Sequence, residues 1–177
     1  MSLTALILVL ISTITHATWN LIGKREHPSL GFFLVANFFG TLCLLPAFIL
    51  YGGAIKSFPP HVWWLIALTG LFEAIYYSGL AGAYRHGDMS VAYPLARSSA
   101  VIFVTIITAA FALGEPLSTQ GLIGIGLIVL GCFTVPLKHF SDLGLHHWLK
   151  LSCLLALVAA VGTTGYTLCD RTMLVIL

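Results

Sequence analysis

The chain has 177 residues, 59% of them hydrophobic and only 8% charged, with a mean hydropathy of +1.01. Soluble domains carry about 25% charged residues, so this composition excludes a soluble fold. A net charge of +2 with no basic cluster gives no footing for nucleic acid. Repeated apolar runs of about 20 residues can satisfy their backbone in lipid only as helices. The expected class is therefore an all-α integral membrane protein, with the lipid bilayer as its first partner.

Six transmembrane helices are predicted. Span one covers residues 3–23, and Lys24 through Pro28 close it. The run has no basic flank before it and continues to Gly23, so it reads as a span rather than a signal peptide. Span two covers 30–51, with Pro46 inside and Gly52-Gly53 at its end. Trp63-Trp64 read as an interfacial anchor for span three, at 62–84. Arg85 to Asp88 form a turn, with Asp88 expected to cap span four (90–113) through its side chain. Gly114-Glu115-Pro116 form a second turn, with Glu115 read as the cap of span five, at 117–137. Its glycines are expected to admit a neighbouring helix. A polar loop at 138–145 and the interfacial His146-His147 lead to span six, at 149–169. Lys24, Arg25, Arg85, Lys138 and Lys150 follow the odd spans, against Lys56 and Arg171 on the other side. That bias places the N-terminus outside.

Three spans carry polar stripes. In span one, Ser12, His16, Asn20 and Gly23 share a face, with Trp19 at its edge. In span three, Thr69, Glu73, Tyr76, Tyr77 and Tyr84 share a broad face, and Glu73 is a carboxylate deep in an apolar run. In span four, Ser90, Tyr93, Arg97 and Thr108 align, with Pro94 before the arginine. An arginine inside an apolar span costs roughly 2.5–3.5 kcal/mol unless it meets a partner or water. Two readings follow: Arg97 pairs with Glu73, or it grips an anionic solute. For all three stripes the plainer reading is hydrogen bonding between helices, worth about 0.6 kcal/mol per pair. The four cysteines are widely spaced and read as small buried hydrophobes, and no metal-ligand spacing occurs. No nucleophile–base pair and no phosphate-cradling glycine loop is present, so neither an enzyme nor a cofactor is expected, and a gradient would have to drive transport.

Displacing the chain by 147 residues lays His16-Ala-Thr-Trp-Asn-Leu-Ile-Gly-Lys24 on Thr163-Thr-Gly-Tyr-Thr-Leu-Cys-Asp-Arg171. Trp19 meets Tyr166, Leu21 meets Leu168, and Lys24 meets Arg171. The offset spans five helices, and an odd number per repeat makes the second repeat inverted. The expected organisation is a five-helix repeat at 1–140 and the first helix of a second, incomplete repeat at 146–177.

His16-Ala-Thr-Trp-Asn20 ending in Lys24, Gly87-Asp-Met-Ser-Val-Ala-Tyr-Pro-Leu-Ala-Arg97, Gly114-Glu115 and the glycine-rich span five together resemble the drug/metabolite transporter superfamily, in its EamA-like branch. The resemblance covers 1–137 well and 149–171 loosely. It implies ten spans in two inverted repeats, a cytoplasmic N-terminus and export or import of small metabolites. The expectation is a gradient-driven secondary-transporter module of the bacterial inner membrane, truncated after span six. Self-association, or a second chain, would supply the missing repeat. His16, Trp19, Asn20, Glu73, Tyr77, Tyr93 and Arg97 are the candidate substrate-binding residues. The alternative is a non-transporting scaffold or accessory subunit, or an inactive fragment.

Overall fold

The computed structural model describes residues 3–25, 29–113, 118–134 and 149–177. Among them every regular element is an α-helix: α1 (Leu3–Arg25), α2 (Leu30–Ile55), α3 (Pro60–His86), α4 (Met89–Ala110), α5 (Thr119–Thr134) and α6 (Leu151–Ile176). Three of these, α3, α4 and α6, have the length and apolarity to cross a membrane. At 1.5 Å per residue they run from about 33 to about 40 Å, against a hydrocarbon core of about 30 Å. The apolar stretches of α1, α2 and α5 are shorter among the described residues.

Local sequence explains the ends. Pro60 opens α3, where its missing N–H is not needed. Asp88 precedes α4 in extended conformation, and its carbonyl accepts from the amides of Val91 and Ala92. Its side chain makes no capping hydrogen bond, so the expected side-chain cap is not formed and the carbonyl only starts the helical ladder. The turn at Glu115 and the loop carrying Lys138 and His146-His147 lie outside the described residues. α6 continues seven residues past its expected end at 169. The Arg171 guanidinium there donates to the Leu113 carbonyl beyond α4 at 2.6 Å, giving a charged pair of positions a polar anchorage.

The centre of the molecule is the packing of α6 against α3 and α4. Small residues make it. A Cβ built on Gly79 would stand 2.6 Å from the Ala159 amide, and one on Gly162 would stand 2.5 Å from the Tyr76 amide. Gly165 faces the Phe72 ring, Gly82 faces Leu155, and Gly87 faces Ser152. As the α3 partner moves up the chain, the α6 partner moves down, so the two helices are antiparallel. The paired positions extend over α3 from 69 to 82, about 20 Å at helical rise. Close backbone approach of this kind is what small-residue stripes provide in lipid, where burial of apolar surface gives no advantage between helices. The Arg171–Leu113 bond joins the C-terminal ends of α6 and α4, which makes those two parallel.

The buried cluster comes from the same helices, with Phe33 of α2 added: Tyr76, Leu80, Ala83, Tyr84, Ala92, Leu95, Ala156 and Ala159 are among its members. The glycines of α5 do not behave as expected. Gly124, Gly126 and Gly131 meet no other atom within 4 Å of an added Cβ. Among the described residues the close approach lies at α3–α6 instead, where Gly79 and Gly162 bring each helix against the partner's backbone.

Candidate functional site

Polar and aromatic side chains form a ladder along the α3–α6–α4 seam. At one end Thr69 of α3 donates a 2.9 Å hydrogen bond to Asp170 Oδ1 of α6. Thr69 also bonds the neighbouring Cys169. One turn along, Glu73 lies within electrostatic reach of Asp170. Glu73 itself is exposed on the helix surface and Asp170 is half-buried.

The middle of the ladder is aromatic. The Tyr76 ring stands 4.9 Å from Tyr77 and 6.0 Å, edge-on, from Tyr166 of α6. Tyr77 continues to Phe33 of α2 at 5.2 Å. Its hydroxyl donates a long 3.4 Å bond to Asn37 Oδ1, and the Asn37 amide donates to the Phe33 carbonyl. Beside this pair lies a groove of about 320 Å³ between α2 and α3, lined by Ala36, Asn37, Gly40, Thr41, Leu44 and Tyr77.

Arg97 of α4 meets the aromatic middle of the ladder. Its guanidinium carbon stands 5.4 Å from the Tyr93 ring centroid and 6.0 Å from that of Tyr76. The guanidinium also hydrogen-bonds the Tyr93 side chain. Tyr93 lies four residues before Arg97 on α4, so the two share a helical face. Tyr84 completes the cluster, within electrostatic reach of Tyr76, Tyr93 and Arg97. From 69 to 84 on α3 the ladder covers about 22 Å, most of a hydrocarbon core.

The expected Glu73–Arg97 pair is not formed. α3 buries Tyr76 toward α4 and leaves Glu73 exposed, so aromatic faces meet the arginine. Cation–π contact is worth about 0.5–2 kcal/mol as desolvation increases, enough to offset part of the burial cost. Of the candidate residues, the structure thus brings Tyr93 and Arg97 together and sets Glu73 and Tyr77 along the same ladder. His16, Trp19 and Asn20 lie on the α1 backbone, but their side chains lie outside the described residues. α1 shares no extended interface with α3, α4 or α6 among the described residues. Thr13, Thr15 and Thr18 on α1 donate to carbonyls four residues back, which satisfies their hydroxyls without a neighbour.

Sequence reasoning missed Tyr166, Asp170 and Asn37. Tyr166 was visible as the counterpart of Trp19 in the repeat, and Asp170 as the counterpart of Gly23. Nothing in the sequence pointed to Asn37. Among the described residues no group of three or more His, Cys, Asp or Glu is placed to hold a metal ion.

Helices long enough to span lipid, with Arg97 against aromatic rings and Asp170 bonded to Thr69 on the faces between them, define a polytopic membrane protein with a polar seam. The model of the EamA-like transporter family matches residues 3–137, and the chain belongs to that family of drug/metabolite-type membrane transporters. The match ends before α6. Neither curated proteins nor solved structures give a match.

Proposed function

We propose that the chain is a secondary-transporter module that moves small organic solutes across the bacterial inner membrane by alternating access, driven by an ion or solute gradient. Family membership supports the class. The observation that carries the reading is the ladder from Thr69 and Asp170 to Arg97 and Tyr84. Charged groups within a span mark solute or ion paths by default, and the polar and aromatic ladder that these belong to covers about 22 Å of α3. Glu73, Tyr77, Tyr93 and Arg97 line the path on this reading, and His16, Trp19 and Asn20, whose side chains lie outside the described residues, are proposed to belong to it.

The antiparallel α3–α6 and parallel α4–α6 arrangements support six serial crossings, since spans three and six differ in sense and spans four and six agree. They are also compatible with α6 opening an inverted second repeat, supplied by further chain or by a second copy. The test is solute and proton flux in vesicles containing the purified protein. The double variant Glu73→Gln/Arg97→Ala is expected to abolish flux; flux equal to wild type would contradict the site.

One observation favours a scaffold role instead. The glycine-tight α3–α6 seat and the Thr69–Asp170 bond are also what a purely structural helix contact requires. On that reading the double variant alters thermal stability, and neither it nor the wild type supports flux.

A further inference from the structure

The groove between α2 and α3 holds about 320 Å³ and is walled by Ala36, Asn37, Gly40, Thr41 and Leu44 of α2 and by Tyr77 of α3. That volume falls within the range of small-molecule sites. The α2 positions recur at three and four residues and so form one stripe of the helix. Gly40 keeps the stripe open, since a Cβ built there meets no other atom within 4 Å.

Asn37 gives the groove its chemistry. Its Nδ2 donates to the Phe33 carbonyl at 2.9 Å, which fixes the orientation of the amide, and Tyr77 donates to Oδ1 across a long 3.4 Å. A side-chain amide has two N–H donors, so one is unspent among the described residues. Oδ1 keeps acceptor capacity, and so does the Thr41 hydroxyl, whose proton goes to the Asn37 carbonyl at 2.9 Å. The wall therefore offers one donor and several acceptors. None of its six residues carries a charge, and Glu73 and Arg97 act on Tyr77 from outside it with opposite signs. Charge thus selects neither a cation nor an anion. An acyl chain would leave the Asn37 N–H unsatisfied, which lipid penalises, so the groove favours a polar occupant. We propose that it is a binding site for a small uncharged carboxamide. The carbonyl of the ligand accepts from Asn37 Nδ2, and its two N–H groups serve Asn37 Oδ1 and the Thr41 oxygen. Ala36 and Leu44 receive its apolar body. The site stands on the groove alone and holds whether or not the chain moves a solute.

Benzamide, methyl benzoate, benzoate and benzamidine share one ring, and of these only benzamide is an uncharged carboxamide. Binding of each to the full chain in lipid nanodiscs is followed by ligand-observed NMR, with empty nanodiscs subtracted. Benzamide is expected to bind saturably and at least about five-fold more tightly than the other three, because each of those lacks a donor or carries a charge. Gly40→Leu fills the groove from a position with open space and a better helix former, so the fold is expected to survive. Its benzamide affinity is expected to fall at least about ten-fold. Asn37→Leu is the second variant, and it is expected to erase the preference for benzamide over methyl benzoate. Equal binding of those two ligands to the wild type would overturn the proposal in favour of an apolar occupant. Unchanged benzamide affinity in Gly40→Leu, or a preference retained in Asn37→Leu, would overturn it as well. So would the absence of saturable benzamide binding, including the case in which cross-linking finds a second copy seated on α2 and Gly40→Leu disperses it. Solute flux in vesicles is measured separately. Benzamide binding without any flux would defeat the transporter reading and leave the site standing, and flux without benzamide binding would do the reverse.

Discussion

Helices α3, α4 and α6 bury alanine, glycine, serine and threonine against one another, whereas α1, α2 and α5 turn large apolar side chains outward. Ala156, Ala159, Gly162 and Thr164 on α6 are buried; Leu8 and Ile14 on α1, Phe38 on α2 and Leu127 on α5 are exposed. Lipid is as apolar as leucine, so the outward side chains are at rest in a bilayer and hold nothing together. Cohesion comes from close backbone approach and from the few polar contacts at the seam. The regions differ in what they can hold for the same reason. A small-residue seam leaves room for the tyrosines and Arg97 between helices, and an apolar surface facing lipid leaves none for a charge.

The contrast is open to direct attack. The largest effect is expected from Gly162→Leu, whose side chain must enter the Tyr76 and Phe72 backbone. It should destabilise the protein by about 3 kcal/mol in detergent unfolding experiments, at the upper end of overpacking costs. Gly124→Leu on α5 meets open space and should stay within about 0.5 kcal/mol. Equal effects at the two glycines would erase the distinction between the regions.

Arg97→Ala comes next, and it separates stability from function. Loss of two ring contacts should cost about 1 kcal/mol, while solute flux in vesicles falls by at least about ten-fold if the cation contacts the solute. Leu127→Ala on the outer surface should leave flux unchanged.

The smallest effect distinguishes a bond between helices from one within a helix. Thr69→Val removes the bond to Asp170 and should cost about 0.6 kcal/mol. Thr15→Val removes only a bond to its own helix and should be close to neutral.

The positions of the helices were legible in the sequence because about 20 apolar residues bounded by charges or prolines leave little alternative in lipid. The observed ends fall within a few residues of the expected ones, except where α2 runs past Gly52-Gly53 to Ile55 and α6 continues through Asp170 and Arg171. Glycines and alanines within a span look alike whether or not they face a neighbour. The five-helix reading therefore looked to the glycines of α5 for close packing, while Gly79 and Gly162 carried it. Arg97 was legible as a charge needing company, but its company was not. Tyr93 sits four residues away on its own helix and was the simpler partner, while Glu73 attracted attention as the opposite charge.

The account centres on the claim that the seam is a path for solute, open to water at some stage, while the outer surface is not. In a cysteine-free background, Tyr77→Cys and Tyr93→Cys can be compared with Phe38→Cys and Leu127→Cys for labelling by a membrane-impermeant methanethiosulfonate in native membranes. The seam positions are predicted to react at least about ten-fold faster, because only a hydrated path brings the charged reagent to them. Equal, negligible labelling at all four positions would contradict the path and leave the seam as a helix contact alone.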